Sequence, residues 1–163
     1  MPSKSKAKGN AFERSVADHL TTVFEYNFER VPNSGAFVGG KNNQRYDSLS
    51  KSQQLIYEGD ILVPDELYHL KIECKSYKTF AWHQLFSRCK QLDEWIAQAH
   101  SPSKLWFLIF KINRAGSYVC FDDRHLESFC LSENMSLYHG HIICSYDGFF
   151  EMNKDVIMSM ADE

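Results

Sequence analysis

The stretch from Gly59 to Lys75 constrains the fold more than any other part of the chain. It reads Gly59-Asp60-Ile61-Leu62-Val63, then Pro64-Asp65-Glu66, then Leu67-Tyr68-His69-Leu70-Lys71-Ile72-Glu73-Cys74-Lys75. Two short apolar runs flank a turn-type Pro-Asp pair, which predicts two neighbouring strands. The second run alternates cleanly. Leu70, Ile72 and Cys74 share one face, while Lys71, Glu73 and Lys75 share the other. If the first strand lies alongside, Asp60 reaches the same spot as Glu73 and Lys75. Two carboxylates and an ammonium meeting at a sheet end suit a hard divalent cation with a lysine beside it. Alone, a Glu-x-Lys triplet is an ordinary solvated strand face, so its weight depends on the rest of the chain.

The 163 residues, 44% of them hydrophobic, suffice for one domain with a substantial core. No apolar run approaches the length of a membrane span. Met1 to Lys8 carries charge without the apolar segment of a secretory signal, which predicts a cytoplasmic protein. Cys74, Cys89, Cys120, Cys130 and Cys144 are odd in number and lack Cys-x-x-Cys spacing, so reduced thiols are expected, with neither disulfides nor a zinc site. The net charge of −3 does not advertise a nucleic-acid binder. Its distribution is more telling. Residues 71–90 hold Lys71, Lys75, Lys78, Arg88 and Lys90 against Glu73 alone, and residues 122–163 hold nine acids against Arg124 and Lys154. A surface divided in this way can take a polyanion on its basic side.

In chain order, residues 1–8 read as a flexible basic arm bearing Lys4, Lys6 and Lys8. A helix is expected from near Gly9-Asn10, with Asn10 as cap and Phe12, Val16, Leu20, Val23 and Phe24 on its buried face. Glu13 falls at the edge of that apolar stripe, either snorkelling to water or pointing into a site. Phe28 to Val31 predicts a short strand stopped by Pro32, and Asn33-Ser34-Gly35 a turn. Residues 35–58 form a long polar connection, with a helical turn or two possible over 48–56. A helix is expected over 81–99, burying Leu85, Cys89, Leu92, Ile96 and Ala99. Gln84, Arg88, Gln91 and Trp95 follow a neighbouring line that reads as solvated. Lys104 to Ile112 is almost continuously apolar, as a buried central strand should be. Strands over 117–121 and 141–146, a short helix over 124–130 and a terminal helix over 153–161 complete the chain. His139 and His141 sit two apart with no further ligand near in sequence, which favours a plain structural role. The order gives an α/β fold, a mixed sheet with helices against it.

Four blocks in this order resemble a known family. Lys8-Gly9-Asn10-Ala11-Phe12-Glu13-Arg14, with Leu20, is similar to the opening helix of archaeal-type Holliday junction resolvases. Arg30-Val31-Pro32-Asn33-Ser34-Gly35-Ala36 resembles their next strand and Ser-Gly loop. Gly59-Asp60-Ile61 and Ile72-Glu73-Cys74-Lys75-Ser76 resemble their catalytic strands. These enzymes belong to the PD-(D/E)xK, restriction-endonuclease-like nucleases, and the Pro-Asn-Ser-Gly-Ala-Phe-Val-Gly-Gly run looks typical of bacteriophage members. The resemblance covers about residues 8–96 and implies an αβββαβ core over about 8–112 with C-terminal additions, in a single nuclease domain over 9–163. Three departures stand out: the loop between Ser34 and Asp60 is longer than in the archaeal enzymes, the overall charge is acidic, and Pro64-Asp65 imitates the motif's name. Asp60 is preferred to Asp65 because it follows Gly59 and opens the strand.

The resemblance implies a chemistry. Asp60 and Glu73 would hold Mg²⁺, or Mn²⁺ in its place, together with the Cys74 backbone carbonyl. Glu13 would reach in from the first helix. Lys75 would orient the attacking water and offset phosphate charge. Lys8, Arg14, Arg30, Ser34, Lys41, Arg45 and Lys78 are candidate DNA contacts, positioning the backbone without reading sequence. A homodimer acting on four-way or branched DNA is expected from the resemblance. A same-fold nuclease for duplex or damaged DNA, and a non-catalytic DNA-binding protein, are the competing readings, since a shared motif fixes chemistry better than substrate.

Overall fold

The computed structural model describes residues 3–32 and 58–163. Ser3 lies in extended backbone and its hydroxyl accepts from the Lys6 N–H, so helix α1 runs Lys4–Phe24. This corrects the expected start near Asn10 and the basic arm before it: Lys4, Lys6 and Lys8 are helical. Lysine and alanine are good helix formers, and one Gly9 costs only about 1 kcal/mol against alanine. The helix is held downstream by its apolar face, where Phe12, Val16, Ala17, Leu20 and Phe24 are buried. It ends as Glu25 turns left-handed and its N–H returns to the Thr21 carbonyl.

Strand β1, Glu29–Arg30, pairs antiparallel with β2, Ile61–Leu62, placing Arg30 opposite Ile61. Between Glu58 and β2 the backbone passes very close to the next strand. A Cβ on Gly59, whose φ is +79°, would stand 2.6 Å from the Ile72 carbonyl oxygen, so only glycine fits. Pro64 leads into a single 3-10 turn, Asp65–Leu67, and then into β3, Leu70–Tyr77.

β3 joins a five-stranded mixed sheet in the order β3-β4-β5-β7-β6, with β4 Leu105–Ile112, β5 Gly116–Asp122, β6 Met135–Tyr138 and β7 His141–Ser145. β3 and β4 are parallel and the other pairs antiparallel. The crossover from β3 to β4 carries helix α2, Lys90–Ala99, and helix α3, Phe149–Ser159, follows β7. The elements from α1 to β4 thus give the order αβββαβ.

One face of the sheet packs Leu70, Ile72, Cys74, Phe107 and Ile109 against α1 and α3. The other packs Trp106, Leu108 and Phe110 against α2. β4 alternates between two cores, which is why its sequence is apolar almost throughout. This is a restriction-endonuclease-like α/β architecture.

Several local expectations differ. The helix expected over 81–99 is split into a 3-10 segment, Trp82–Phe86, and α2. The Tyr138 hydroxyl accepts from the Cys89 N–H at 2.9 Å and donates to Asp93 Oδ1 at 2.7 Å, so β6 takes over the backbone group a continuous helix would have used. Leu85 is therefore only partly buried, while Trp95, expected on a solvated line, is buried among Tyr77, Phe80 and Phe110. Residues 123–125 form one 3-10 turn in place of a helix over 124–130, and α3 starts at Phe149 rather than 153. The helical turns expected over 48–56 lie outside the described residues. Cys74, Cys89, Cys120 and Cys144 are buried free thiols and Cys130 is an exposed one. Among the described residues no helix is long and apolar enough to cross a membrane.

Candidate active site

The alternation of β3 sets the site. Leu70, Ile72 and Cys74 are buried under α1, whereas Lys71, Glu73 and Lys75 are half-buried on the α2 side. Lys71 Nζ donates to the Gln98 and His100 carbonyls at 2.8 and 3.2 Å, clamping the end of α2 to the strand. Lys75 Nζ donates to Glu73 Oε1 at 3.1 Å and to Gln98 Oε1 at 2.5 Å.

Asp60 arrives from the Gly59 turn and is only 8% exposed. Its N–H donates to the Ile72 carbonyl, and its Oδ2 accepts from the Cys74 N–H, both at 2.8 Å. The carboxylate is thereby fixed over the backbone between Glu73 and Lys75. The carbonyl of a strand residue points to the same side as its N–H, so the Cys74 carbonyl faces the edge that Asp60 occupies. Asp65, by contrast, is exposed at the start of the 3-10 turn.

Glu13 comes in from α1. Arg30 Nε donates to its Oε2 at 2.5 Å, and Arg30 Nη2 donates to Asn10 Oδ1 at 2.8 Å. Glu13 thus lies inward of the helix surface with a cation of β1 against it. Snorkelling to water does not describe it.

The carboxylates share one electrostatic field. Burial pushes the Glu73 carboxyl up to about 7, and the charge of Asp60 adds to this against the opposing Lys75 and Lys71. Burial and Asp60 likewise raise Glu13, opposed by Arg30 and Lys75. Perturbed acids gathered beside a third carboxylate mark this place as a candidate functional site.

The donor set fits a hard cation. Asp60, Glu73 and the Cys74 carbonyl are oxygen ligands, and Mg²⁺ is satisfied by one or two carboxylates because it keeps several waters. The fit is not that of an all-protein cage. Among the described residues no three His, Cys, Asp or Glu side chains form one, and Glu13 faces Arg30 while Glu73 faces Lys75.

A family model described as Phage putative PDDEXK endonuclease matches residues 4–160. The chain belongs to this phage PD-(D/E)xK endonuclease family. No curated protein and no solved structure matches it. Glu73-Cys74-Lys75 has the form E-x-K and lies on β3 beside Asp60. The match continues through β5, β6, β7 and α3, a region in which the sequence alone showed no likeness. As a member of an endonuclease family the chain is a nuclease.

Of the candidate DNA contacts, Lys8 and Arg14 are exposed on α1 and Lys78 is exposed just past β3. Arg30 is engaged by Glu13 and Asn10. Ser34, Lys41 and Arg45 lie outside the described residues. His139 and His141 belong to no metal cluster among the described residues. Sequence reasoning passes over two residues at the site. Gln98, the partner of Lys75, is the next step of the line Gln84, Arg88, Gln91, Trp95, so the helical period points to it. Asn10 reads by sequence as a cap; the proximity of Arg30 that gives it another role is set by tertiary structure.

Proposed function

We propose that this nuclease hydrolyses DNA phosphodiester bonds with Mg²⁺, for which Mn²⁺ can substitute, and that its preferred substrate is a four-way or otherwise branched DNA cut by a homodimer. The observation that carries the hydrolytic reading is the fixing of Asp60 to the Cys74 N–H beside Glu73 and Lys75. The preference for branched DNA and the dimer rest on the likeness of the four sequence blocks to junction resolvases.

When bound by Asp60, Glu73 and the Cys74 carbonyl, the cation supplies Lewis-acid polarisation of the phosphate and a more acidic water. The chain's own groups do the rest. The Cys74 N–H holds the Asp60 carboxylate in one orientation. Lys75, held from two sides by Glu73 and Gln98, positions a water and stabilises charge developing on the phosphate. Glu13, steadied by Arg30, adds negative charge next to Asp60 and serves that end of the site directly or through water. Lys8, Arg14 and Lys78 contact flanking phosphates, as do Ser34, Lys41 and Arg45. Arg30 acts chiefly by positioning Glu13.

The test is cleavage of a labelled four-way junction beside its matched linear duplex, each with Mg²⁺ or with EDTA. Paired, Mg²⁺-dependent nicks confined to the junction are expected. Equal cutting of both DNAs would leave a nuclease without junction preference, and tight binding with no cutting of either would favour a non-catalytic binding protein.

A further inference from the structure

A cavity of about 310 Å³ opens where the start of α1 passes the end of β3. Lys4, Ser5 and Lys8 line it from the helix, Ser76 and Tyr77 from the end of β3 and Lys78 from just past it, with Asn113 beside them. The grouping follows from periodicity. Lys4 and Lys8 are four apart and share a helix face, whereas Lys6 is rotated roughly 200° from Lys4 and does not line the cavity. The strand side is firmly built: the Asn113 N–H donates to the Tyr77 carbonyl at 3.0 Å, and the Tyr77 ring lies 4.8 Å from that of Trp95. Every polar side chain lining the cavity is a hydrogen-bond donor, and among the described residues none is an acid. That is the lining of an anion site.

Its position names the anion. Lys78 lies three residues past Lys75, roughly 10 Å at the strand rise, and Lys8 lies five residues before Glu13, roughly 7.5 Å along the helix. One nucleic-acid strand advances about 3.4 Å per nucleotide. We propose that this cavity seats a backbone phosphate of the strand being cut, about three nucleotides from the scissile bond, with Lys4, Lys8 and Lys78 as its donors. This rests on the nuclease reading above and adds to it a fixed register between a built phosphate seat and the catalytic pair Glu73 and Lys75.

The test measures binding of a labelled four-way junction by the full-length chain in EDTA as a function of NaCl. Each phosphate left without its cations lowers the slope of log affinity against log salt by about 0.9. The triple variant K4Q/K8Q/K78Q is expected to lower it by about 1 and to bind at least tenfold more weakly at low salt, while K6Q keeps the wild-type slope. All four positions are exposed, and melting temperatures close to wild type check that the fold survives. A second arm places single neutral methylphosphonates along the cut strand. One about three nucleotides from the mapped cut should weaken wild-type binding and add nothing to K4Q/K8Q/K78Q. A wild-type slope in the triple variant, an equal loss in K6Q, or an even effect of the methylphosphonate at all positions would overturn the proposal. So would lysine-dependent competition by inorganic phosphate combined with a flat methylphosphonate scan, which would assign the cavity to free phosphate. Failure of the nuclease reading looks different: wild type would leave every DNA uncut with Mg²⁺, whatever the lysines do.

Discussion

The two edges of the five-stranded sheet are finished in opposite ways. At the β3 edge stand Asp60, Glu73 and Lys75, with the side chains of Glu73 and Lys75 only 12% and 18% exposed. At the β6 edge two large apolar residues are exposed, Leu137 at 64% and Met135 at 42%. Folding alone would reverse this, since burying a carboxylate costs free energy and exposing a leucine forfeits it. The β6 edge reflects tolerance, because single exposed apolar side chains are common. The β3 edge reflects demand. Its acids are held in place against burial and mutual repulsion by the Cys74 N–H, Lys75 and Arg30. Where a fold tolerates electrostatic strain in so small a volume, the strain points to chemistry.

The sharpest break of this comparison is catalytic. Glu73→Ala should lower the rate of DNA cleavage about a thousandfold or more while changing DNA affinity little. Single-turnover rates beside binding titrations would show it.

Next comes stability against pH. Because the Glu73 carboxyl is pushed up to about 7, the folded chain holds a proton that the unfolded chain releases near its ordinary value of 4.5. Stability contributed by this group therefore falls as pH rises from about 4.5 to about 7. Glu73→Gln should melt higher than wild type at pH 8 in EDTA, by on the order of 3 kcal/mol, and the gap should close near pH 4.5. Added Mg²⁺ should narrow it at pH 8 by stabilising the wild type.

Arg30→Met should cost about 2 kcal/mol in chemical denaturation, because Glu13 would stay largely buried without its cation. Adding Glu13→Gln should recover part of that loss. The smallest effect belongs to the other edge. Leu137→Lys should stay within about 0.5 kcal/mol of wild type and leave the cleavage rate unchanged.

Much of the β3 region was legible in the sequence because its rules are local. A period of two separates Lys71, Glu73 and Lys75 from Leu70, Ile72 and Cys74. The near-continuous apolar run of β4 follows from two cores, and Gly59 before Asp60 favours that acid over Asp65. The rest depended on partners distant in sequence. The break before α2 is set by the Tyr138 hydroxyl, which reaches Cys89 across 49 residues. β6 is hard to see in sequence because Met135-Ser136-Leu137-Tyr138 exposes three of its four residues and shows no alternation. Glu13 lies visibly at the edge of a stripe, but only Arg30 explains why it points inward. The start of α1 turns on Ser3, a cap too near the terminus to stand out among the lysines.

The measurement closest to the central claim is cleavage of labelled branched DNA by wild type, Asp60→Ala and Asp65→Ala, with Mg²⁺ and with EDTA. The arrangement around β3 predicts Mg²⁺-dependent cutting by wild type and by Asp65→Ala, and none by Asp60→Ala. Undiminished cutting by Asp60→Ala, or activity lost in Asp65→Ala instead, would contradict it.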